Sequence, residues 1–239
     1  MTDDTTPAKR TEPVARTVRE ARTLTPMRRS IADRLHESYS EAVHVTVSRE
    51  VDAGPIVERA DAAESQETPV SVIDVILVAV SETLAEHPEF NATFEDDTHT
   101  VYEEHNVAVA VDLEEGLVTP VLEDLRGKSL AAVAAERRPL TERVRAGEYS
   151  MSDLRGSTFT VSNLGPLGSD SFTPVINPPE VAILGVNRIR ERPAVEDGDL
   201  AVGRFLTLDL SFDHRVVDGA DAARFLGTLA GLLGDGADR

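Results

Sequence analysis

The segment Leu208–Leu226 ties the end of a strand to the start of a helix, and it constrains the fold more than any other stretch. Up to Asp213, β-forming and apolar side chains dominate, as in a strand. Beyond Asp218, Ala222, Phe225, Leu226, Leu229 and Leu233 recur at helical spacing. Asp218 or Asp221 is placed to cap that helix. His214 therefore stands where the strand stops and the helix has yet to begin, a junction where rigid frames often present reactive groups. Asp218, four residues on, is within reach of the imidazole or of its local backbone. Gly219 beside it permits a tight or positive-φ turn.

With 239 residues the chain has room for one large domain or two small ones. Apolar residues make up 41%, enough for a substantial core. Aromatics are only 4% and Trp is absent, so Val, Leu, Ile and Ala must supply the packing. No apolar run is long enough to span a bilayer, and the polar, acidic N-terminus has no signal-peptide core. We therefore expect a cytoplasmic protein without membrane contact. Cysteine is absent, which removes disulfides, thiolate metal sites and a cysteine nucleophile; no metal is expected. The formal net charge is −19, with acidic residues spread along the chain and Lys9 and Lys128 as the only lysines. A field of that sign disfavours nucleic acid as a partner. It suits a protein working in high salt, where repulsion among carboxylates is screened, and so points to a halophilic source.

Met1 to about Leu24 mixes Thr, Pro, Ala and charge without apolar periodicity. It reads as a flexible lead (1–24) before a folded domain (25–239). Thr25-Pro26 is an N-cap with proline at the first helical position. Met27, Ile31 and Leu35 then form an apolar stripe, with Arg28, Arg29 and Arg34 off it. For Arg28 and Arg29 a solvated face and a buried partner for a carboxylate both stay open. His44–Asp52 alternates as a half-buried strand. Asp52–Ser65 can form a short helix. Pro69 to about Glu86 forms a second, with Val72, Val75, Ile76, Ala79, Val80 and Leu84 in step before Pro88 stops it. Strands are expected over Val101–Tyr102, Asn106–Asp112 and Leu117–Leu122, and a helix over Leu130–Arg145 behind Ser129. Ser157–Gly165 is a strand running into a Gly/Pro turn that lacks the Lys and Ser/Thr of a phosphate-cradling loop. Asn177–Glu180 is a rigid turn feeding a buried strand to Val186. Glu196–Asp199 is a hairpin turn returning into Phe205–Leu210 and so to His214.

Several of these stretches resemble, in the same order, the catalytic domain of dihydrolipoamide acyltransferases, the E2 components of 2-oxoacid dehydrogenase complexes. They are His214-x-x-x-Asp218-Gly219 flanked by Asp213 and Arg215, the run Leu24–Asp52, and the segments His87–Ala92, Gly116–Leu122, Ser157–Gly165 and Asn177–Val186. The resemblance covers about Leu24 to Leu233. It implies an α/β (α+β) sandwich of the chloramphenicol acetyltransferase type, a mixed β-sheet with helices packed against it. It also implies an active-site channel between the subunits of a homotrimer.

The activity implied is acyl transfer between a dihydrolipoyl thiol and coenzyme A, both as substrates. His214 is then the general base: a thiol pKa of about 8.5 and an imidazole pKa of about 6.5 are close enough for rapid transfer. The Ser162 hydroxyl donates to the oxyanion. Asp218 fixes local geometry through backbone contacts or a buried arginine and is no relay; Arg215, Gly219 and Asn163 support the site. The lead is too short for a lipoyl domain. The lipoyl group is thus expected in trans or from a missing N-terminal domain, with a lipoyl-bearing protein and the E1 and E3 dehydrogenase components as partners. Two other readings are a coenzyme A-dependent enzyme acting on a hydroxyl or amine, and a non-catalytic scaffold. The intact His214, Asp218, Gly219 and Ser162 argue against the scaffold. Gly234–Arg239 offers nothing to bury, so a free trimer without a closed shell is expected.

Overall fold

The computed structural model describes residues 16–63, 69–114, 116–196 and 198–234. The first fifteen residues of the expected lead, Ser65 at the end of an expected helix, Asp197 in the hairpin turn and the segment 235–239 lie outside the described residues. In chain order the elements are α1 (Pro26–Glu41), β1 (His44–Asp52), α2 (Gly54–Ala63), α3 (Val72–Glu86), β2 (Ala92–Glu95), β3 (Thr98–Val101), β4 (Val107–Val109), β5 (Val111–Leu113), β6 (Gly116–Val118), β7 (Val121–Leu122), α4 (Leu130–Arg145), β8 (Phe159–Asn163), β9 (Ala182–Val186), β10 (Arg190–Glu196), β11 (Asp199–Asp213) and α5 (Gly219–Leu233).

Local chemistry starts most of the helices where the sequence places them. The Thr25 hydroxyl accepts from the Arg28 N–H at 3.2 Å, and Ser129 accepts from Ala132 N–H at 3.3 Å. Ser71 and Asp74 form a capping box at α3. Asp74 is fully buried and also receives the Arg137 guanidinium from α4, at 2.5 and 2.9 Å, which locks the two helices together.

The main sheet has the order β1-β11-β9-β8-β4-β7, with β10 paired to the first half of β11. β8 runs parallel to both β4 and β9, and the other pairs are antiparallel. The sheet is thus mixed, as expected. Leu208, Leu210 and Phe212 of β11 and Val51 of β1 join Val75, Ile76 and Leu84 of α3 and Phe225, Leu226 and Leu229 of α5 in one core. Phe225 meets Phe90 and Phe159 at centroid distances of 4.8 and 5.7 Å, which fastens α5, and with it the His214 turn, to the middle of the sheet.

Four expectations are corrected. Asn106–Asp112 is two strands, β4 in the main sheet and β5 in a hairpin with β6, because the chain leaves the sheet at Ala110. Leu117–Leu122 is likewise split at Thr119-Pro120, where proline has no N–H to give a ladder. Val101 is the end of a β2–β3 hairpin whose turn puts Asp96 and Asp97 at φ of 48° and 56°. The α1 stripe is only partly used: Ile31 packs on Gly116, where a Cβ would lie 2.5 Å from Ile31 Cδ1, but Leu35 is 46% exposed. Arg28 and Arg29 are exposed, and the arginine of α1 that reaches inward is Arg34, to Asn177 Oδ1 and the Pro178 carbonyl. Among the described residues no helix is long and apolar enough to cross a membrane.

Candidate active site

β11 ends at Asp213 and α5 begins at Gly219, so a short turn carries His214. The turn is held from both sides. The His214 main-chain N–H donates to the Val43 carbonyl at 2.9 Å. The Asp213 carboxylate, 4% exposed, accepts from the Val43 and Arg215 N–H groups at 3.2 and 3.0 Å and from the Arg215 guanidinium at 2.6 Å. Burial alone would raise the Asp213 carboxyl. The Arg215 hydrogen bonds, the Val43 N–H and the Arg215 charge outweigh it and hold the group below the usual carboxylate range. Arg215 Cζ in turn lies 4.8 Å over the Phe94 ring of β2.

This frame leaves the imidazole free. The His214 side chain is 39% exposed, and its Nδ1 is 3.7 Å from Asp218 Oδ1, too far for a hydrogen bond. Its ring rests against Phe212 at a centroid distance of 5.6 Å. Asp218 is the N-cap residue of α5, and its N–H donates to Asp221 Oδ2 at 3.4 Å. Among the described residues no arginine meets Asp218; the arginine-bound carboxylate of this corner is Asp213. Gly219 is the first helical residue, its φ is not positive, and no atom stands within 4 Å of a Cβ built there. Of the tight or positive-φ turn that Gly219 permits, the chain uses a tight turn before α5 with no positive φ at Gly219.

Ser162 lies near the end of β8, 8% exposed, paired with Gly185 of β9. Its hydroxyl is not engaged by any described residue. The Asn163 side chain accepts from the Gly165 N–H at 2.9 Å and so bends the chain sharply after β8. Gly165 has to be glycine: a Cβ would lie 2.8 Å from the Asn187 carbonyl oxygen.

Register sets the distance between the two candidates. Ser162 faces Gly185, which faces Asp209 on β11. His214 is five residues beyond Asp209, just past the end of β11, so the two backbones are about 17 Å apart along the strands and about 10 Å across them. In one chain the imidazole and the serine hydroxyl do not reach a common carbonyl.

Glu180 ends the Asn177–Glu180 turn, and the structure makes it a buried hub. It is 4% exposed and accepts from Ser157 Oγ (2.5 Å), Thr160 Oγ1 (2.6 Å) and Asn177 Nδ2 (2.7 Å). Burial pushes its carboxyl up to about 7, against these three donors and the Arg34 charge. A raised pKa means that the folded chain binds this proton more tightly than the unfolded one. Its stabilising effect is full below the unfolded value near 4.5 and lost as pH rises through about 7. Between those limits the wild type should lose roughly 3 kcal/mol relative to Glu180→Gln. Denaturant titration of both proteins at pH 5 and pH 8 checks this, and a difference that does not change with pH contradicts it.

Residues 17–237 match the family of 2-oxoacid dehydrogenases acyltransferase catalytic domains. The chain belongs to that family. It is 37% identical over 217 residues to the dihydrolipoyllysine-residue succinyltransferase component of the 2-oxoglutarate dehydrogenase complex of Haemophilus influenzae, covering 89% of this chain and 53% of that one. It is 35% identical over 215 residues to the acetyltransferase component of the pyruvate dehydrogenase complex of Bacillus subtilis, covering 87% and 49%. The chain thus spans about half the length of these curated relatives. Among solved structures it superposes on Azotobacter vinelandii dihydrolipoamide acetyltransferase with a TM-score of 0.84 and 34% identity, covering 94% of this chain and 98% of that one. That structure was determined to define the catalytic role of a serine, a histidine and an asparagine. Chloramphenicol acetyltransferase superposes at a TM-score of 0.56 with 15% identity, over 84% of this chain and 94% of that one, which bears out the expected fold.

Besides Asp74 at the start of α3, the sequence of this acyltransferase-family chain left two buried carboxylates unread, Glu180 and Asp209, both under 5% exposed. Acidic residues are usually solvated, so neither stood out. The one available signal was position: Glu180 directly precedes the apolar run Val181–Val186, and Asp209 sits between Leu208 and Leu210 inside a strand.

Proposed function

We propose that residues 25–239, behind a lead at 1–24, are the catalytic domain of a dihydrolipoamide acyltransferase that moves an acyl group between a dihydrolipoyl thiol and coenzyme A. The observation that carries this is the His214 imidazole, held open at a locked strand end in a chain of this family. His214 takes the proton of the attacking thiol. The sulfur adds to the thioester carbonyl, and the oxyanion that forms accepts a hydrogen bond from Ser162. Collapse expels the second thiolate, which recovers the proton from His214. One thioester is exchanged for another, with no acyl-enzyme.

The serine and histidine of the Azotobacter enzyme stand as far apart in sequence as Ser162 and His214, which supports their assignment here. Its asparagine lies four residues after the histidine, where this chain has Asp218. An amide and a carboxylate share shape and not charge, which favours a positioning role at Asp218 over a relay. Arg215 and Asn163 shape the turns that carry His214 and follow Ser162.

The separation of Ser162 from His214 within one chain supports a site completed by a second copy, and with the resemblance to the acyltransferase family we infer a homotrimer. Val43, 53% exposed, holds the His214 N–H, and Tyr39, 63% exposed, stacks on the neighbouring His44. Val195, Leu200 and Val202, each at least 70% exposed, stud the β10–β11 hairpin. Apolar surface of this kind on a chain of net charge −19 marks a contact between copies. A lipoyl-bearing protein and the dehydrogenase components are the further partners.

The test is thioester exchange with free dihydrolipoamide and a panel of acyl-coenzyme A species, in molar salt where the carboxylates are screened. Exchange at a measurable kcat is expected, with succinyl and acetyl donors ranked by their kcat/KM. Transfer to a hydroxyl or amine acceptor alone, or no transfer at all, contradicts the assignment.

A further inference from the structure

Asp209 is fully buried in the middle of β11, between two core leucines. Alternation turns it to the opposite face of the sheet. Four donor groups converge on its carboxylate: Ser48 Oγ at 2.5 Å, Ser171 Oγ at 3.1 Å, the Phe172 N–H at 3.0 Å and Asn187 Nδ2 at 2.7 Å. Among the described residues no arginine, lysine or histidine pairs with it. A buried carboxylate without a cation is expensive and persists only where hydrogen bonds compensate it. Asn187 contributes both amide hydrogens to this region, the second to the Thr207 carbonyl at 2.9 Å, while its own Oδ1 is left buried without a partner.

Two of the four donors belong to one loop, the stretch between β8 and β9 that carries Ser171 and Phe172. The Phe172 ring lies directly on Gly185: a Cβ there would be 2.8 Å from Cζ and 2.9 Å from Cε1. Gly185 is the strand neighbour of Ser162. The Gly185 backbone is about one strand spacing, roughly 4.8 Å, from that of Ser162, so the ring covers the strand next to the serine. Near Phe172, Asp170 ties the loop to Arg188 at 2.7 Å, but this pair is about half exposed at both ends and holds it weakly; the ties of Ser38 to the Ile176 carbonyl and of Arg34 to Asn177 lie four or more residues further on.

We propose that Asp209 is a positioning residue of the acyl-transfer site: through Ser171 and the Phe172 N–H it holds the Phe172 ring over Gly185, as the wall beside Ser162 against which the acyl thioester is oriented. The inference rests on the assignment of Ser162 made above. The carboxylate never touches substrate; it sets how the carbonyl meets the serine hydroxyl. Displacing a reacting group by an ångström is enough to slow a positioned reaction severely.

The experiment compares Asp209→Asn, Ser162→Ala and the double variant in thioester exchange, with melting and light scattering on each. Asp209→Asn keeps the shape but offers an N–H where the loop needs an acceptor. It is expected to lower kcat by about tenfold or more with the coenzyme A KM changed less than about threefold. In the Ser162→Ala background the same substitution should lower kcat by less than about twofold, because its effect runs through the geometry at that serine. If Asp209→Asn lowers only the melting temperature and leaves kcat per folded protein unchanged, or if its effect is undiminished without Ser162, the proposal is overturned. If Ser162→Ala leaves kcat intact, the underlying assignment falls and this inference with it. Should Asp209→Asn not assemble, Ser171→Ala removes an exposed contributor to the same tie. It should lower kcat about threefold at constant KM, and an unchanged kcat overturns the proposal just as well.

Discussion

His214→Ala is expected to lower kcat for thioester exchange by ~10²–10⁴ while the assembled protein stays folded. The two halves of that statement come from different atoms. Everything that holds the turn is main chain or belongs to a neighbour: the His214 N–H to the Val43 carbonyl, and Asp213 to Val43 and Arg215. Alanine keeps all of it. The imidazole itself is 39% exposed and makes no hydrogen bond to Asp218, so its removal takes away a base and little packing. Turnover and thermal melting measured together test this. Near-wild-type turnover in the alanine variant, or a loss that merely tracks unfolding, contradicts it.

Ser162→Ala should lower kcat by ~10²–10³, with the coenzyme A KM little changed. The side chain is 8% exposed on a strand flanked by β4 and β9, and alanine fits there without overpacking. What is lost is a single donor that no described residue uses. A donor aimed at an oxyanion acts in the transition state and not on the bound thioester, which is why the effect belongs in kcat. A raised KM with kcat preserved would instead make Ser162 a binding residue.

Much of the fold could be read because its signals are local. Thr25-Pro26 and Ser129 each cap a helix with groups a few residues away, and the sequence shows them directly. β3 could not be read that way: all four of its residues are exposed, so it has no alternation to display. The division of Asn106–Asp112 between two sheets depends on which strands compete for its N–H groups, and those lie elsewhere in the chain. The same divide runs through the site. The sequence marks His214 and Ser162 as chemical groups. Their separation depends on the registers of β8, β9 and β11, which no short motif contains. Among the described residues no buried arginine meets Asp218, whose side chain is 79% exposed; Arg215 pairs with its neighbour but one, Asp213. Apart from Asn177, three residues before Glu180, the donors to Glu180 and Asp209 come from 20 to 161 residues away and meet them only after folding.

The central claim is a site built from His214 of one copy and Ser162 of another, and mixing the two inactive variants tests it most directly. His214→Ala and Ser162→Ala chains, carrying different tags, are co-expressed in equal amounts and the mixed trimers assayed. Every mixed trimer has one interface in three at which an intact histidine faces an intact serine, so mixed trimers should show about a third of wild-type activity, and the unfractionated random mixture about a quarter. A mixture no more active than the better of its two parents would contradict the shared site.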